Sequence, residues 1–276
     1  MKKSGFCLES YAFESGKLRR EGGPIRLCFL SDLHGKVFGR KNRSLLQAIA
    51  AFEPDGILVG GDMVIGSTDA RETMDTALEL RQRLADRYPV WYALGNHEQR
   101  MMQGGEAYGN SYQEYERQAK ACGIRFLHNE SCLFTCKGNR FRIYGLELES
   151  VYYRKPFSPK LYDTHVAQLL GEDSGRDHQE YRILLAHNPK YGEAYLNWGA
   201  DLTLSGHYHG GLVRFSQRHG LISPQFQLFP SYCCGDFSQG DRRMVVSAGL
   251  GEHTLPLRIC DPRVLIQLTV YPSKER

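Results

Sequence analysis

With 276 residues, 35 Lys and Arg against 31 Asp and Glu, and a formal charge of +4, the chain is long enough to bury one substantial core and is only mildly basic. Its cationic residues are scattered among acidic ones rather than gathered into tracts, which argues against nucleic-acid binding by charge alone. Eight cysteines without a CxxC pair exclude a zinc ribbon and provide no disulfide framework, and no apolar run approaches the roughly 20 residues that span a bilayer.

Residues 1–24 mix charge with Gly22-Gly23-Pro24 and read as a short first strand or an arm. Glu9, Glu14 and Lys17 break the stretch that would have to be apolar in a secretion signal after Met1-Lys2-Lys3. With reduced thiols as the simpler reading of the cysteines, a cytoplasmic protein is expected, with peripheral association at a membrane left open. Ile25–Leu30 is apolar almost throughout, as a strand buried on both faces should be. Leu45, Leu46, Ile49 and Phe52 then keep helical spacing until Pro54.

A second strand at Gly56–Val59 precedes a long helix from about Thr68, a plausible N-cap, to Tyr88, where Pro89 stops it. A third strand is expected at Val90–Leu94, an exposed loop over 103–112 and a helix near Gln113–Cys122. Residues 126–148 read as short strands turning at Lys137-Gly138-Asn139, and 149–180 as a flap or loop near the site with a helix around Leu161–Leu170. Tyr181–Ala186, a helix at Lys190–Trp198, Asp201–Leu204, Met244–Ala248 and Val264–Val270 complete the pattern. The alternation is α/β, and one domain over 1–276 is expected.

Five of the apolar runs end in residues with ligand chemistry: Asp32 and His34, Asp62, Asn96, His187, then His207 and His209. In open α/β sheets, ligands bind beyond the carboxyl ends of the strands, so these termini predict a shared site. Carboxylate, imidazole and amide donors suit Mn, Fe or Zn. A pair of divalent ions needs a bridging carboxylate, and Asp62, after Gly60-Gly61, is the natural bridge. With two carboxylates and a bridging hydroxide, such a site retains a charge of about +1, which favours a phosphate anion.

Asp32-Leu33-His34, Gly61-Asp62, Gly95-Asn96-His97-Glu98, His187 and Gly206-His207-Tyr208-His209 resemble, in order and spacing, the five blocks of the calcineurin-like metallophosphoesterase superfamily. Ser31 before Asp32, Phe38-Gly39, His209-Gly210-Gly211, Gly249-Leu250-Gly251 and Leu255-Pro256-Leu257-Arg258 are most similar to its bacterial YkuE-type branch. The resemblance implies two mixed β-sheets packed as a sandwich and flanked by helices. It implies that Asp32, His34, Asp62 and His209 hold one metal and Asp62, Asn96, His187 and His207 the other. His97 would contact the phosphate or protonate the leaving oxygen, and a metal-bridging hydroxide would attack a phosphodiester or phosphomonoester. Arg258 is a further substrate-contact candidate through the tail resemblance, with a structural salt bridge as the alternative, and Tyr208, where relatives often have a small residue, is a candidate to shape the pocket. Ile65-Gly66-Ser67 stands where the protein phosphatases of the superfamily carry an acidic residue, Arg and Gly, which argues against that activity. Members of the YkuE-type branch commonly begin with an anchor or export signal.

Three substrate and function readings remain open at this level: a small-molecule phosphoester, a nucleotide-sugar or lipid-linked diphosphate, and a partner-binding scaffold on the same fold. Glu98 reads as a structural neighbour of the site. Tyr108, Tyr112, Tyr152 and Tyr153 are candidates to line a cleft, with specificity expected from the segments at 100–112 and 149–180.

Overall fold

Strands that are apolar on both faces demand cover on both sides, and the chain provides it in four layers. The computed structural model describes residues 5–67, 71–104, 107–172, 179–252 and 257–273. One sheet has the order β1 (Cys7–Ser15), β12 (Val264–Pro272), β2 (Ile25–Leu30), β3 (Gly56–Val59), β4 (Val90–Tyr92), β5 (Arg125–Phe126). From β2 to β5 its strands run parallel, while β12 is antiparallel to β2 and parallel to β1. The other sheet has the order β10 (Gly235–Gln239), β11 (Arg242–Val246), β9 (Leu202–Ser205), β8 (Tyr181–Ala186), β7 (Asn139–Leu146), β6 (Glu130–Cys136). Its four inner strands are parallel and its two edges antiparallel.

The period-two alternation of side chains sorts each strand between two cores. Leu27, Phe29 and Leu58 meet Ile183, Leu185, Leu202 and Leu204 in the apolar layer between the sheets. Cys28, Leu30, Ile57 and Val59 face the other way, onto α1 (Arg43–Phe52), α2 (Arg71–Ala85), α3 (Asn96–Gln103) and α4 (Ser111–Ala121). On the far side, Leu184 and Ala186 pack against α5 (Asp163–Leu170) and α6 (Gly192–Trp198). This is the expected helix-flanked sandwich of two mixed sheets.

The departures are local. Residues 1–24 contain a nine-residue strand, β1, anchored along the whole of β12. α2 ends at Ala85, ahead of the expected Tyr88, and its expected cap Thr68 lies outside the described residues. β4 stops two residues early because Ala93 and Leu94 already lead into the loop. α3 was not anticipated, since Asn96-His97-Glu98-Gln99-Arg100 has no apolar periodicity, and neither was the polar edge strand β10. Within 149–180, a short turn at Ser150–Tyr153 and α5 are seated by Tyr152, Leu161 and Val166 in the outer core, so the described part is a packed segment rather than an open flap. No helix among the described residues is long and apolar enough to cross a membrane.

Candidate metal centre

The carboxyl ends of β2, β3, β8 and β9, together with the loop after β4, converge at one edge of the sandwich. Zipping bonds hold the loops together: Asp32 N donates to Gly61 O at 2.9 Å, His34 N to Asp62 O at 3.1 Å, and Gly206 N to His187 O at 3.1 Å. Asp32, His34, Asp62, His207 and His209 all have positive φ, between 47° and 65°. Each such residue costs roughly 1 kcal/mol, and their concentration in these loops is strain stored at a functional site. Glycine is needed where backbone meets carboxylate: a Cβ on Gly206 would overlap Ser31 and Asp32, and one on Gly95 would overlap Asp62.

Six of the seven expected ligand residues, all but Asn96, fall into clusters of converging donor atoms. His187 Nε2 lies 3.2 Å from Asp62 Oδ2 and 3.9 Å from Asp32 Oδ1, and His209 Nε2 lies 3.4 Å from Asp32 Oδ1. His34 Nε2 is 3.9 Å from Asp62 Oδ2 and 3.2 Å from His209 Nε2. Three groups place ligand atoms within 4.8 Å of one another: Asp32 with His34 and His209, Asp62 with His187 and His207, and His34 with Asp62 and His97. The first two fall within the two sets implied by the sequence, and the third draws in His97. Asn96 begins α3, and its Oδ1 is buried without a hydrogen-bond partner.

Donor chemistry and charge both fit divalent metal ions. Burial pushes the Asp32 carboxyl up to about 7, against the pull of His187. Burial would raise Asp62 too, but His187, His97 and His34 outweigh it and hold that carboxyl below its usual range. For His187 burial is outweighed by Asp62 and Asp32, which carry the imidazole up to about 10, whereas burial takes His34 down to about 3. Two carboxylates and several imidazoles thus compete for protons in a dry site. Divalent cations would resolve that conflict by favouring ionised carboxylates and neutral imidazoles.

Neighbouring groups orient the ligands. His187 Nδ1 contacts Gly60 O at 2.6 Å, which fixes the proton there and turns Nε2 to the carboxylates. Asp32 accepts from Ser31 Oγ and from His207 N. Glu98 is wholly buried and accepts from Asp62 N and Met63 N at 2.8 Å, from Gly95 N at 3.0 Å and from Tyr92 OH at 2.5 Å. It ties the loops after β3 and β4 together. Behind it, the fully buried Arg81 donates to Tyr92 OH at 2.9 Å, its guanidinium 4.2 Å from the Tyr92 ring centroid and 4.4 Å from that of Tyr115.

Arg258 sits differently from the expectation of substrate contact. The Arg258 guanidinium donates to Asp261, Ala248 O and Gly251 O and lies 3.2 Å from His209 Nδ1, so it braces the back of that ring. Tyr208 is buried, its hydroxyl bonds Gln227 at 3.1 Å, and its ring lies 5.8 Å from that of His207. Tyr112 and Tyr152 are core residues, whereas Tyr153 packs 5.3 Å from the His207 ring and 6.3 Å from the His187 ring. His178 and His253 lie outside the described residues.

The model of the calcineurin-like phosphoesterase family matches residues 25–211, the span that carries every expected ligand. The chain belongs to the calcineurin-like phosphoesterase family. This phosphoesterase is 24% identical over 257 residues to the uncharacterized protein YpbG of Bacillus subtilis, covering 92% of the chain and 84% of YpbG. It is 26% identical over 249 residues to the phosphodiesterase YaeI of Escherichia coli, covering 87% and 80%. The metallophosphoesterase YkuE of Bacillus subtilis is 24% identical over 226 residues, covering 81% and 71%. Family membership makes the protein a hydrolase acting on phosphoester bonds, with His and Asp clusters able to bind metal.

Proposed function

We propose that this phosphoesterase is a dinuclear phosphodiesterase, with Asp62 shared between two divalent ions. Asp32, His34 and His209 complete one set of ligands and Asn96, His187 and His207 the other. The observation that carries this reading is the convergence of both carboxylates and the imidazole nitrogens, and Asn96, next in the chain to His97, carries a buried oxygen without a hydrogen-bond partner. Mn, Fe and Zn all suit the donor set. When bound, such ions supply Lewis acidity and an activated water at neutral pH. Both sheets contribute ligands, so the described residues act as one catalytic domain.

The chain's own groups position the ester and manage its protons. His97 Nδ1 accepts from Gly66 N at 2.8 Å, which leaves the proton of the neutral ring on Nε2. That Nε2 points inward, 3.9 Å from Asp62 Oδ2, on a side chain that is 19% exposed. It is placed to hydrogen-bond a phosphoryl oxygen and to protonate a departing alkoxide. His97 N also donates to Asp62 Oδ1 at 2.8 Å, so the same residue steadies the proposed bridge. A diester preference is favoured by the likeness to the phosphodiesterase YaeI.

The test is turnover of bis-p-nitrophenyl phosphate against p-nitrophenyl phosphate by metal-stripped protein refilled with Mn, Zn, Fe(II) or Mg. Faster diester hydrolysis that requires a refilled metal supports the reading. A monoester preference refutes the diesterase assignment, and metal-independent turnover refutes the mechanism.

A further inference from the structure

Beside the metal centre, a cleft of about 430 Å³ is lined by Asn96, Arg100, Gln103, Ser150, Tyr153 and Arg154 among others, and no carboxylate among the described residues lines it. The cleft adjoins the centre: the ring of Tyr153, which lines it, leans on His187 and His207, and Asn96, which also lines it, directly precedes His97. Arg100 lies one turn along α3 from Asn96, about 6 Å further by helical rise. Arg154 enters from the opposite wall, directly after Tyr153.

Both arginines are exposed to solvent. Neither forms an ion pair with a described carboxylate, and the polar side-chain contact of Arg100 is a long one, 3.4 Å to Gly66 O. Glu98, the acid nearest on α3, is turned inward and fully engaged by three backbone amides and Tyr92. An anion seated in this cleft would find both guanidiniums on its lining and no described carboxylate there. The scissile phosphate has its own partners at the metal ligands and His97, so that anion is a different group.

We propose that Arg100 and Arg154 form a subsite for a second phosphate of the substrate, next to the scissile one, making diphosphate-linked diesters the substrate class. The assignment rests on the phosphoesterase reading above and deepens it. The planar guanidinium fork takes two phosphate oxygens at once, which suits a neighbouring phosphate better than a neutral ester arm. A single-phosphate diester would leave both arginines facing water.

ADP-ribose is the probe, used as a competitor of bis-p-nitrophenyl phosphate hydrolysis by the metal-loaded enzyme, so that the readout does not depend on its being cleaved. The inhibition constant is expected to weaken roughly tenfold to a hundredfold in Arg100→Ala/Arg154→Ala, the range for lost hydrogen bonds to a charged group. That weakening should exceed any rise in KM for bis-p-nitrophenyl phosphate at least tenfold, and Arg100→Lys should fall between wild type and Arg100→Ala. Equal losses for the two ligands, or a wild type that ADP-ribose does not inhibit at millimolar concentration, would overturn the subsite. If no metal form turns over bis-p-nitrophenyl phosphate, the phosphoesterase reading fails. Calorimetric binding of ADP-ribose to wild type and the double variant then decides the subsite separately: weaker binding by the variant upholds it, and equal or absent binding overturns it.

Discussion

Replacing Glu98 with Gln tests whether the loops after β3 and β4 are held by one buried carboxylate. Its Oε2 accepts from Asp62 N and Gly95 N, and its Oε1 from Met63 N and Tyr92 OH. A glutamine NH2 at the Oε2 position would oppose two amide donors; at the Oε1 position it opposes one, Met63 N, while Tyr92 OH can rotate to accept. The second arrangement is the less costly, yet it still loses a charge-assisted bond worth about 1.5–3 kcal/mol and leaves a buried N–H unpaired. It also removes the carboxylate that Arg81 reaches through Tyr92, leaving a buried guanidinium poorly compensated. Together these give a loss of about 3–5 kcal/mol, a large part of a typical total of 5–15 kcal/mol. Denaturant unfolding of the metal-free protein would measure it, and a metal titration should show affinity weakened about 10–100-fold. A change under about 1 kcal/mol with unaltered metal affinity would refute the reasoning.

Other perturbations probe separate parts of the account. His97→Gln should lower kcat for bis-p-nitrophenyl phosphate by about 10²–10⁴-fold, the range for a lost general acid, while bound metal measured by mass spectrometry stays at the wild-type level. Gly206→Ala should abolish both activity and metal binding, because its Cβ would displace the Asp32 carboxylate. His128 bridges Glu116 and Glu147 at 2.8 and 2.7 Å, and those two hydrogen bonds raise its pKa to about 10. A histidine raised above its unfolded value of about 6.5 stabilises fully below that pH and loses its contribution as pH rises through about 10. The stability gap between wild type and His128→Gln should therefore be about 1 kcal/mol near pH 6 and vanish above pH 10, as read by urea unfolding. A gap that widens with pH would contradict that assignment.

The ligand set was legible because each member stands directly after an apolar run, and strand ends are where an α/β sheet must place a site. The layered fold was legible for the same reason, since runs such as Ile25–Leu30 demand cover on both faces. What escaped were features made of polar residues in buried places. α3 is polar in sequence, yet Glu98 and Gln99 are buried because hydrogen bonds rather than apolar contacts satisfy them. Arg81 sits in the charged run Glu79-Leu80-Arg81-Gln82-Arg83, which reads as a solvated face, but Tyr92 and Tyr115 enclose it. For Arg258 the sequence left phosphate contact and a structural salt bridge both open, and only the fold shows Asp261 and two carbonyls holding it. The cleft, too, needs partners about fifty residues apart, Arg100 and Arg154, which no local pattern joins.

The central claim is that Asp62 bridges two catalytic ions. Metal content and bis-p-nitrophenyl phosphate turnover, measured on the same refilled samples of wild type and Asp62→Asn, test it most directly. The account expects two ions per wild-type chain, and both the paired occupancy and the turnover lost together in the variant. A variant that keeps two ions and wild-type turnover, or a stripped wild type that remains active, would contradict it.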